Sequence, residues 1–140
     1  MALDVYIQPG PELPPNRHIA EHVVSIEGSG RGENPGCFWF LYPLFNDLAK
    51  RTGQRIDLYG DAAFWGETLD ALEETLTRAH SLVDAQSDTW QVRTSIQIRP
   101  VRQEIYETIS KQQMNVLLEK LDGAVRQAKA TGVCVIFFGD

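Results

Sequence analysis

The stretch RHIAEHVV, residues 17–24, sets His18, Glu21 and His22 in His-x-x-Glu-His order, the ligand spacing of an inverted zinc-hydrolase motif. On a helix, positions i and i+4 point the same way, so both imidazoles could reach one zinc ion while Glu21 served as general base toward a bound water. The flanks argue against that helix. Pro9, Pro11, Pro14 and Pro15 precede the stretch and the β-branched run Val23–Val24 follows it. In a strand the two histidines would still share a face, but roughly 13 Å apart, too far for one metal. Only His80 or an acidic side chain is left as third ligand. Residues 17–27 therefore read as a strand or a short helix capped by Asn16, with surface histidines, and the expectation is no metal and no catalytic residue.

Other residues with chemical potential read similarly. GSGRGENPG, residues 28–36, has the glycines of a phosphate-cradling loop but no Gly-Lys-Ser/Thr, and the helix that should follow directly is delayed by an aromatic run. A solvated loop is the expectation, with no cofactor. Cys37 and Cys134 lie in apolar runs without Cys-x-x-Cys spacing, as buried free thiols do. Neither has a histidine near it in sequence to make it a nucleophile.

A stronger signal is a set of acidic and aromatic residues. Asp57 and Asp61 precede a long helical stretch, in which Glu67, Asp70 and Glu74 recur at steps of three and four. Such a stripe complements a helix N-terminus and can be a plain solvated face, with Glu74 pairing Arg78 at i, i+4; it also suits a basic partner. Phe38, Trp39, Phe40, Tyr42, Phe45, Tyr59, Phe64 and Trp65 crowd the same region. Most belong in a core, while Tyr42, Tyr59 or Trp65 are candidate exposed anchors, a residue type enriched at binding hot spots. The candidate partner-binding set is Asp57, Tyr59, Asp61, Trp65, Glu67, Asp70 and Glu74.

The elements that must position these residues follow from patterning. The chain has 140 residues, 43% hydrophobic and 23% charged, which predicts one globular domain over 1–140 and excludes a disordered chain. A net charge of -6 disfavours unspecific nucleic-acid binding. No apolar run reaches membrane-spanning length and the start lacks a basic n-region, so a cytoplasmic protein is expected. LDVYI is a first strand, ended by the proline-rich loop. Pro43 is placed as a first helical residue, opening a helix that ends before Gly53 and turns Leu44, Phe45, Leu48 and Ala49 inward. RIDLYG is then a strand. Within residues 61–86 the stripe Trp65, Leu69, Leu72, Leu76, Ala79 and Val83 predicts the longest helix. Residues 90–98 alternate, with Trp90, Val92, Thr94, Ile96 and Ile98 on one face. Being half-exposed, that strand is a candidate edge for pairing with another chain. RQEIYETI returns as its hairpin partner. Ser110 and Gln113 form a capping box opening a helix that buries Met114, Leu117, Leu121, Ala124, Val125 and Ala128 and stops at Gly132. VCVIFF is a buried, central C-terminal strand. The predicted class is α+β: one sheet of about five strands packed with three main helices.

Taken whole, the chain resembles the small immunity proteins that bacteria encode beside polymorphic or contact-delivered toxins. The likeness rests on size, acidity, the MALDVYI opening, the aromatic CFWFLYPLF followed by DLAKRTGQRIDLYGD, and the VCVIFFGD ending. The resemblance implies a stoichiometric binding protein that occludes a cognate toxin, basic at its contact surface, and not an enzyme. It assigns no residue positions. The alternatives are a protein-interaction or regulatory module with another partner, and a small metal-dependent hydrolase using His18, Glu21 and His22.

Overall fold

The first and last strands of the chain lie side by side at the middle of a four-stranded sheet. The computed structural model describes residues 2–27, 36–97 and 100–139. In chain order the elements are β1 (Ala2–Gln8), β2 (Glu21–Glu27), α1 (Cys37–Thr52), β3 (Asp61–Phe64), α2 (Glu67–Asp84), β4 (Thr89–Gln97), β5 (Gln103–Ser110), α3 (Lys111–Thr131) and β6 (Cys134–Gly139). The sheet order is β2-β1-β6-β3, with every neighbouring pair antiparallel, and β4 and β5 form a separate two-stranded hairpin. The α+β class holds. The expected single sheet of about five strands is instead two sheets with six strands among the described residues, because the hairpin pairs only with itself.

One face of the sheet carries Leu3, Val5 and Ile7 of β1, Val135 and Phe137 of β6, and Ala62 and Phe64 of β3, all buried with the apolar stripes of the three helices. Alternation turns Ala63, Cys134 and Ile136 to the other face, where they form a second buried cluster against Tyr6. The proline-rich connection from β1 to β2 is held by Gln8, itself buried. Its Nε2 donates to the carbonyls of Gly10 (2.7 Å) and Glu12 (2.9 Å), and its Oε1 accepts from the Asn16 N–H (3.0 Å). A proline-rich loop offers few N–H donors of its own, so one buried amide supplies much of its internal bonding.

The helices confirm much of the pattern and correct part of it. Ser110 Oγ accepts from the Gln113 N–H at 3.0 Å, the predicted cap of α3, and the predicted stripes of α2 and α3 are buried, Trp65 excepted. The first helix begins at Cys37, six residues before Pro43, which sits inside it. Pro43 forfeits one ladder hydrogen bond, but Cys37, Phe38 and Leu41 are buried upstream of it and Leu44, Phe45 and Leu48 downstream, and this continuous apolar face carries the helix through. RIDLYG is not a strand: Ile56 and Leu58 are buried in an irregular segment, and the short strand follows at Asp61. The helix in residues 61–86 accordingly starts at Glu67, leaving Trp65 outside it, and at 18 residues it is not the longest: α3 has 21. In the hairpin, Arg93 pairs with Tyr106 but Ser95 with Ile105, so the extra residue Thr94 interrupts the expected alternation along β4. Ile98 lies outside the described residues.

The 57–60 turn closes on the end of β6: the Gly139 N–H donates to the Gly60 carbonyl at 2.9 Å, and a Cβ on Gly139 would stand 2.5 Å from the carbonyl carbon of Leu58. Gly139→Ala is therefore expected to lower folding stability by about 2–3 kcal/mol, the range of an overpacked core, read as a lower denaturant midpoint with an unchanged m-value.

Candidate partner-binding site

The structure separates the histidine motif. His18 sits in a one-turn bend, its N–H bonded to Asn16 Oδ1 at 3.0 Å, while Glu21 and His22 are successive residues of β2 and point to opposite faces. A bulge at Val23 shifts the register, so that His22 lies opposite Tyr6 and joins Asp4 and Ser25. His22 Nε2 is 3.3 Å from Asp4 Oδ1 and 3.1 Å from Ser25 Oγ, and Ser25 Oγ donates to Asp4 Oδ1. This Ser-His-Asp trio lacks the geometry of a proton relay. A relay uses one imidazole nitrogen for the serine and the other for the acid; here one nitrogen meets both, and the serine proton is spent on the carboxylate. Among the described residues no group of three or more His, Cys, Asp and Glu could hold a metal. His80, the other conceivable ligand, bonds Asp122 at 2.7 Å between α2 and α3. Of the phosphate-loop candidate, residues 28–36, residues 28–35 lie outside the described residues; Gly36 directly precedes α1, which the aromatic run does not delay but forms.

The acidic and aromatic candidates fall around β3. Tyr59 is 71% exposed and Trp65 47% exposed, one at each end of a strand roughly 13 Å long. Each is pinned at its backbone: Asp57 Oδ1 accepts from the Tyr59 N–H at 2.7 Å, and Thr68 Oγ1 accepts from the Trp65 N–H (2.9 Å) and donates to the Trp65 carbonyl (2.8 Å). Asp61 follows Tyr59 by two residues and Glu67 follows Trp65 by two, both exposed and neither in an ion pair among the described residues. Partial desolvation holds the Asp61 carboxyl above its ordinary value. The rest of the stripe is neutralised. Asp70 pairs with Lys129 at 2.7 Å, and Glu74 with Arg51 at 2.6 Å. The expected Glu74–Arg78 pair is replaced, Arg78 turning to Asp47, because α1 packs alongside α2 and brings its own charges within reach. Tyr42 is half-buried against Phe38 and Trp39 and is no exposed anchor. Trp65, Glu67, Asp70 and Lys129 line a cleft of about 500 Å³ between the start of α2 and the end of α3.

A third cluster was not visible in the sequence. Glu107 of β5 faces the start of α1, its Oε2 3.2 Å from the position a Gly36 Cβ would take. That helix has no side-chain cap and no acidic residue in its first turn, so Glu107 supplies the anion its dipole favours. Desolvation nevertheless dominates: burial raises the Glu107 carboxyl, and its Oε2, like Trp90 Nε1, has no hydrogen-bond partner among the described residues. Burial, and next the charge of Glu107, push the Cys37 thiol up to about 12. Burial also raises Cys134.

Two outcomes are expected. A carboxyl raised on folding makes the native state bind more protons, so its contribution to stability falls as pH climbs from the ordinary carboxylate range through the raised value. Glu107→Gln, which removes the charge that burial penalises, should flatten that fall and raise stability at neutral pH; thermal melts at pH 4–8 read both. Cys37 and Cys134, free and buried, should resist maleimide at pH 7 in the native protein and react fully in denaturant, followed by intact mass. No family model matches the chain, and no curated protein and no solved structure matches it.

Proposed function

We propose that the protein acts by binding, as a stoichiometric inhibitor that occludes a cognate bacterial toxin whose contact surface is basic. The observation that carries this reading is the pair of pinned, exposed aromatic side chains, Tyr59 and Trp65, each two residues before an unpaired carboxylate, Asp61 or Glu67. Exposed aromatics on a fixed backbone bury large area at small entropic cost. Adjacent uncompensated carboxylates steer a basic partner and penalise an acidic one. Asp57 supports Tyr59 from behind, whereas Asp70 and Glu74, already paired, contribute shape more than charge.

Co-expression with the toxin domain encoded beside this gene should rescue growth, and the two proteins should elute together in a one-to-one complex. Tyr59→Ala and Trp65→Ala should each weaken that complex about tenfold or more, the loss expected of a hot-spot aromatic, with unchanged melting. Asp61→Lys with Glu67→Lys should slow association and remove most of its salt dependence. Continued cell death on co-expression would overturn the proposal.

A further inference from the structure

Every sheet edge but one is protected among the described residues. β3 is four residues long, and its Ala63 N–H is taken by Gln54 Oε1 at 2.9 Å. β2 carries the bulge at Val23 and β4 the extra residue Thr94. Short length, capping and bulges are the usual devices against strand addition. β5 carries no extra residue of its own: Gln103–Ser110 runs eight residues opposite the bulged β4, with its outer half exposed and Tyr106 48% exposed. The hairpin is anchored toward its base, by Trp90 stacked edge-on against Phe40, by Val92 packed on the core, by buried Ile109, and by the Lys111 N–H on the Asp88 carbonyl. A two-stranded ribbon alone is barely stable in water, and a third strand changes that.

We infer that β5 pairs antiparallel with β5 of a second copy of this chain about a two-fold axis at Tyr106. Three features select the copy over another occupant. The register places Tyr106 against its own symmetry mate, an aromatic cross-strand pair, and sets Glu104 opposite Thr108 and Glu107 opposite Ile105, so no like charges face. Antiparallel pairing also carries the tip of each hairpin to the base of the other. There Val101, 70% exposed, and Arg102 arrive beside Lys111 and Ser110 of the second copy. Those residues line a cleft of about 550 Å³ that also holds Asp88, Glu119 and Val116, the last 46% exposed. Finally, Arg102 at the hairpin tip arrives at a cleft that holds Asp88 and Glu119 of the second copy, in a chain of net charge -6. One basic side chain thus meets two acidic ones. Lys111 lines the same cleft, its Nζ donating to the Asp84 carbonyl at 3.2 Å.

Light scattering and sedimentation across the micromolar range should give the dimer mass for the full chain. Val101→Asp with Arg102→Glu, both at exposed positions, should weaken dimerisation at least about tenfold with an unchanged circular dichroism spectrum. Tyr106→Cys should form a disulfide between copies under mild oxidant, because Cys37 and Cys134 are buried; the unsubstituted chain is the control. A monomer at every concentration would overturn the inference, as would a dimer that survives the tip substitutions and gives no Tyr106→Cys cross-link. A hairpin reserved for a different protein gives the first of these results.

Discussion

The pairing of β1 with β6 is the constraint on which the rest of the molecule hangs. Leu3 lies opposite Gly139 and Gln8 opposite Cys134, so the centre of the sheet forms only when the two ends of the chain meet. Closing so long a loop costs entropy that local contacts cannot return. The return comes from burial: Leu3, Val5, Val135 and Phe137 together form the floor on which all three helices pack. β2 can add to β1 only because Gln8 folds the proline-rich connection back, and β3 can add to β6 only because Gly139 admits the 57–60 turn.

That arrangement divides the surface by chemistry. The short edge strand β3 is flanked by turns that display Tyr59 and Trp65 with unpaired carboxylates. Deeper along α2 the acids are matched by Arg51 and Lys129 from the neighbouring helices. The hairpin, by contrast, carries Arg102 toward its tip and is exposed along the outer half of β5. Interhelical ion pairs this exposed contribute little to stability. Among the described residues Asp61 and Glu67, like Asp57, are in no ion pair.

The helical stripes, the Ser110 cap and the buried last strand were legible because each depends on residues close in sequence. The candidate site was legible in part. Its residue types stood out, yet which carboxylates stay free depends on α1 and α3 lying beside α2. The start of α1 was misplaced because Pro43 is a strong local signal that a longer apolar face overrode. RIDLYG reads as a strand because Ile56 and Leu58 are apolar, but that content reflects burial rather than extended pairing. Glu107 near the start of α1 had no sequence signal, since the two are brought together only by the hairpin's docking.

The sequence by itself determined the α+β class, the faces of α2 and α3, the free buried thiols and the residue types available for binding. These follow from periodicity, capping and composition, which act over a few residues. The tertiary structure decided strand order, the split into two sheets and the partners of the charges. It also decided the bulges at Val23 and Thr94. A bulge inserts one residue and reverses the facing of all that follow, so the pattern alone could not tell that His22 leaves His18 and joins Asp4 and Ser25.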